Sequence, residues 1–144
     1  GLMRIGLYSK SARQDIEVMR QEWSQTDTAH SDSRMKSFRT RVINSDEEHH
    51  KRILESDDFY SISTLRDLIF HVKEHNFTIP QIKKCLLDLG LIFCGFEAES
   101  VVEHFKLTNT CQNDTYDLEK WKDYEKLNPY AFAGMYQFWC QRPL

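Results

Sequence analysis

The sequence predicts an α/β domain in which three short strands are separated by amphipathic helices. Runs of strand length, apolar or aromatic, occur at Leu2–Tyr8, Leu91–Ala98 and Met135–Arg142. Apolar residues between them recur at helical spacing, and Gly, Pro and Asn punctuate the junctions. A chain of 144 residues suits one domain with a real core, and its 40% hydrophobic and 28% charged content is that of an ordinary globular protein.

The elements follow in order. "LMRIGLY" is a short apolar run ended by the turn-prone "SKS", and it reads as a buried strand. Ile16, Met19 and Trp23 share a helix face, and Met35, Phe38 and Val42 repeat that spacing. The polar "SQTDTAHSDS" separates the two helices, with Ser31 or Asp32 able to cap the second. A third helix is expected from Ser45 or Asp46, with Glu47 and Glu48 in its first turn and Lys51 and Arg52 nearer its end, matching the helix dipole. "ESDDFYSIST" reads as a loop, and "TLRDLIFHV" fits a helix or an extended segment equally. "TIPQIKKCLLDLG" carries the fullest helix signature: Thr78 and Gln81 form a capping box, Pro80 sits in the first turn, and Gly90 ends it. Its predicted buried stripe is Ile82, Cys85, Leu86 and Leu89. "LIFCGFEA" is a strand, "SVVEHFKL" a short helix, and "DLEKWKDYEKLN" an amphipathic helix stopped by Asn128-Pro129. The aromatic "MYQFWCQR" closes the chain as a strand.

Composition removes several classes of function. A net charge of −3 provides no cationic field for nucleic acid or anionic membrane, so nucleic acid is disfavoured as a partner. No apolar run approaches the roughly 20 residues of a membrane span, and no signal-peptide pattern occurs. Cys85, Cys94, Cys111 and Cys140 include no C-x-x-C pair and read as reduced thiols of a cytoplasmic protein. The five glycines form no phosphate-binding loop.

"HVKEH", His71 to His75, fits the inverted zinc-protease pattern H-x-x-E-H. That chemistry needs both rings on one continuous helix, yet Thr78 caps a new helix just beyond His75. On a strand the two histidines would stand about 13 Å apart, too far to share an ion. No metal is therefore expected there. The two histidines read as packing or hydrogen-bonding residues, or as pocket lining. The pair His49-His50 reads as a solvated helix face, because adjacent helical residues point about 100° apart.

Four blocks carry a resemblance. "GLMRIGLYSKSARQDI" resembles the segment that follows the L-x-P-G-G turn of class I S-adenosylmethionine-dependent methyltransferases. "SDDFYSISTLRDLIFHVKEHNFTIPQI", "LGLIFCGFE" and "NPYAFAGMYQFWCQR", in that order, resemble the C-terminal half of bacterial methyltransferases of the type often fused to tetratricopeptide repeats. The resemblance spans nearly the whole chain and is most specific from Asp57 to Ile82. It implies one domain, 1–144, the C-terminal part of a Rossmann-like methyltransferase sheet of three strands with the last antiparallel. Residues 10–75 would be a mainly helical insertion and 76–144 the closing α/β part. Leu2–Tyr8 would be the fifth strand of a seven-stranded sheet, and Leu91–Glu97 and Met135–Arg142 the sixth and seventh.

Such enzymes bind their cofactor with a Gly-rich loop after the first strand and an acidic residue after the second. Neither element occurs here. S-adenosylmethionine is therefore expected as cofactor of a longer polypeptide and not of this chain alone, whose partner would be the upstream half of the same polypeptide. Catalytic residues stay unassigned. Substrate-side candidates are Tyr8 and Arg13, beside Ser9 and Gln14 at the carboxyl end of the first strand, and Tyr60, Arg66, His71 and His75. An arginine could clamp an anionic acceptor and a histidine could take a proton. Plainer roles compete with each: Tyr8 as core wall, Arg13 as solvated, Arg66 paired with Asp67, and Tyr136 and Trp139 as sheet packing. A freestanding, non-catalytic interaction module is the alternative. The apolar first strand argues against it, since a freestanding module should protect its edge and Arg4 is the single blunting residue of Leu2–Tyr8, whose open edge is expected to drive self-association.

Overall fold

The computed structural model describes residues 1–25, 32–70 and 74–143. In chain order they form β1 (Leu2–Ser9), α1 (Gln14–Gln25), α2 (Asp32–Ile43), α3 (Glu48–Leu54), α4 (Ile62–Phe70), β2 (Asn76–Phe77), α5 (Ile79–Asp88), β3 (Ile92–Phe96), α6 (Glu99–Thr108), α7 (Leu118–Leu127) and β4 (Tyr136–Gln141). The chain divides into two compact units. One is Gly1–Arg13 with His75–Leu144, and the other is Gln14–Glu74.

The first unit is a mixed sheet of order β2-β1-β4-β3, with β1, β2 and β3 pointing one way and β4 antiparallel to both its neighbours. The described residues thus contain four strands and not the expected three. The extra strand is the dipeptide Asn76-Phe77, too short to show any periodicity, held beside Tyr8 and Ser9 and extended by Lys10 N–H donating to the Phe77 carbonyl at 2.8 Å. β1 also departs from its predicted burial: Leu2 is 59% and Met3 46% exposed. Among the described residues only Tyr8 and Ser9 of β1 have a strand on the β2 side, and the apolar run from Leu2 to Leu7 has no strand neighbour along that edge.

The core of this unit lies under α5, α6 and α7 and includes Ile82, Phe96, Phe105, Trp121, Phe132, Tyr136 and Phe138. Phe105 stacks on Trp121 at 3.8 Å. α5 keeps its predicted capping box, with Thr78 accepting from Gln81 N–H and the Gln81 side chain answering the Thr78 N–H. Its buried stripe is Ile79, Ile82 and Leu86 instead. Leu89 caps the helix and is 70% exposed, and Cys85 lies exposed at the rim. All four cysteines are free, and Cys140 is buried.

The second unit is helical. α1, α2 and α4 bring Met19, Trp23, Met35, Phe38, Val42, Leu65 and Ile69 into one core, with Trp23 edge-on to Phe38 at 5.2 Å. Buried Asp15 is matched by a two-pronged contact from Arg52, 2.7 and 2.9 Å, which ties α3 to α1. α3 starts at Glu48, later than predicted, because the Ser45 hydroxyl accepts the Glu47 N–H and holds the preceding turn. The expected solvated face at His49-His50 is not found: His50 is buried, and both rings meet Glu22 of α1. The break around 26–31 and the residues His71 to Lys73 of the H-x-x-E-H stretch lie outside the described residues. No described helix is long and apolar enough to cross a membrane.

Candidate functional site

In a sheet whose strands mostly run one way, a site is expected at their carboxyl ends. In the first unit that end is built by Tyr8 and Ser9 of β1, Tyr136 at the start of β4, and α7. Its centre is Glu125, a carboxylate only 6% exposed. Glu125 Oε1 accepts from Ser9 Oγ at 2.9 Å and from the Tyr136 hydroxyl at 2.5 Å. Burial needs such partners, because an unpaired carboxylate inside protein is costly. The phenol of Tyr136 is pushed far above its ordinary value, first by burial and then by its bond to Glu125. Ser9 Oγ also accepts the Ala12 N–H, shaping the turn that leads from β1.

On that turn the Arg13 guanidinium lies over the Tyr8 ring, 4.0 Å from its centroid, an energetically favourable stack. The two residues are half-buried, and the stack places a positive charge beside an aromatic ring. This pair suits a planar or anionic group, while the Ser9–Glu125–Tyr136 trio anchors β1, α7 and β4 beneath it. With Oε1 already holding two donors, the trio positions its neighbours.

The same unit carries a shallow cavity of about 430 Å³, lined by Ser100, Val101, His104, Tyr124, Asn128 and Tyr130 among others. There His104 Nδ1 and the Tyr124 hydroxyl are 2.7 Å apart, and burial raises the Tyr124 phenol above its ordinary value.

The structure brings together two of the predicted site residues, Tyr8 and Arg13. Tyr60 and Arg66 lie in the second unit. Tyr60 is 55% exposed, and its hydroxyl donates to the Leu54 carbonyl at 2.9 Å. Arg66 pairs with Asp32 and not with neighbouring Asp67. His75 is exposed, and His71 lies outside the described residues. Glu125 and His104 were missed. Both sit on helices as polar residues of an amphipathic pattern, and nothing local distinguishes Glu125 from the solvated acids around it.

No model of a known protein family matches the chain, and no curated protein matches it either.

Proposed function

We propose that this chain is the acceptor-side, C-terminal portion of an S-adenosylmethionine-dependent methyltransferase domain. The observation that carries the reading is the place of β4, antiparallel between β1 and β3, with the other edge of β1 unpaired over Leu2–Leu7 among the described residues. The resemblance calls for that arrangement: a last strand antiparallel beside the first, and a first strand that belongs in the interior of a larger sheet. Exposure of Leu2 and Met3 supports it, since an apolar strand of this kind is stable when covered.

In this reading the cofactor is held by the other portion of the sheet. Tyr8 and Arg13 face the methyl acceptor, with Ser9, Glu125 and Tyr136 setting their position. Methyl transfer from a sulfonium is a direct displacement, so alignment of the acceptor and exclusion of water are the main tasks left to such residues. The stacked guanidinium favours an acceptor with an anionic or planar group.

The test begins with the coding DNA upstream of the Gly1 codon. An open frame encoding a strand followed by a Gly-rich loop is the expected result. A start codon with nothing before it would sink the reading in favour of a non-catalytic interaction module. Calorimetric titration of the isolated chain with S-adenosylmethionine should show negligible binding, and micromolar affinity would overturn the division of labour.

A further inference from the structure

We propose that Glu22, His49 and His50 of the second unit form a binding site for one divalent transition-metal ion of the zinc type. Glu22 Oε1 lies 2.7 Å from His49 Nε2, and Oε2 lies 2.8 Å from His50 Nε2. Although neighbours in the chain, the two rings converge, with centroids 4.1 Å apart and planes inclined by 49°. The three donor atoms lie within 4.8 Å of one another. Ligand atoms at about 2.1 Å from a tetrahedral ion stand roughly 3.4 Å apart, so the two histidine–carboxylate contacts must lengthen to admit it.

To donate to Glu22, each ring must carry its proton on Nε2. The His50 side chain is 5% exposed, and its Nδ1 makes no hydrogen bond among the described residues. An ion on Nε2 moves the proton to Nδ1, where no existing bond is lost. Two imidazoles and one carboxylate are a donor set that suits zinc and leaves a fourth position for water or a small ligand.

A cavity of about 430 Å³, lined by Glu22, Gln25, Arg41, Ser45 and His50, opens beside the cluster and gives the fourth position room. Arg41 is the opposing feature, with Nη2 3.4 Å from Glu22 Oε2. Its side chain is 48% exposed and lies over the Phe38 ring at 5.0 Å, so it can turn into solvent when an ion enters. The inference uses the second unit alone and is independent of the methyltransferase reading.

Titration of the metal-free full chain with cobalt(II), followed by the visible d–d absorption, tests it. The expected result is one cobalt per chain with the intense bands of a four-coordinate ion, displaced by one equivalent of zinc. Affinity should fall on acidification, because protons compete with a metal ion for its ligand atoms. His49→Ala, which alters a partly exposed ring, and Glu22→Gln should each weaken binding by about tenfold or more, with circular dichroism unchanged. Cobalt absorption no stronger than that of the aquo ion would overturn the proposal. So would binding that survives equally in both variants.

Discussion

Glu125 takes two hydroxyl hydrogen bonds on one oxygen, so its neighbours depend on it for their satisfaction. Tyr136→Phe removes one donor to a buried carboxylate and should cost about 1.5–3 kcal/mol, read as a lower urea midpoint at unchanged slope. Glu125→Ala leaves two buried hydroxyls without an acceptor and should cost more than Tyr136→Phe; equal losses would mean that Ser9 contributes nothing. The raised Tyr136 phenol also has a pH consequence. Above its ordinary value of 10.0 the unfolded chain ionises while the folded chain does not. The stability it contributes is therefore full below about pH 10 and is lost as pH rises from there toward the folded value. Urea midpoints measured across this range should fall less steeply for Tyr136→Phe than for the parent chain. Glu22 behaves in the opposite sense. Its lowered pKa contributes stability that is full above its ordinary value of 4.5 and is lost as pH falls through the folded value. Glu22→Gln should flatten the acid limb of the stability curve, and an unchanged limb would show that the histidine contacts add nothing.

Among the elements, α5 has the most complete set of local signals. Removing the Thr78 side chain breaks a capping box, and Thr78→Ala should cost about 1 kcal/mol. Gly90 follows the helix at φ +64°, with open space where a Cβ would stand. Gly90→Ala should therefore cost about 1 kcal/mol through backbone strain alone. Thermal midpoints of the two variants check both values, and a neutral Gly90→Ala would contradict a strained turn. Gly95 works differently. Its φ of +111° lies where the β3–β4 register shifts between Phe93 and Gly95, and the irregularity lets both Phe93 and Phe96 face the core.

For the whole molecule the open side of β1 is the decisive feature. A mostly apolar strand edge blunted only by Arg4 is a template for pairing. The isolated chain should therefore show a mass that rises with concentration in light scattering, and Met3→Lys should reduce that rise. A strictly monomeric chain at high concentration would count against both the edge pairing and the interior place proposed for β1. The two compact units have separate cores, so substitutions in one should leave the near-ultraviolet signal of the other's aromatics in place.

The sequence by itself determined the class and most of the elements, because amphipathic spacing, caps and stop residues act within a few positions. The α5 signature, the Met19–Trp23 and Met35–Phe38–Val42 stripes and the β3 and β4 runs all lie where local pattern placed them. Partnerships over long separations were decided by the tertiary structure. Ser9 meets Glu125 across 116 positions, and Glu22 gathers His49 and His50 from 27 and 28 positions away. Arg66 chose distant Asp32 over adjacent Asp67. Periodicity reports which face of an element is apolar, but a polar residue on that element carries no mark of the group it will meet. The dipeptide strand β2 and the exposure of β1 share that cause, since both depend on which backbone edge another segment happens to reach.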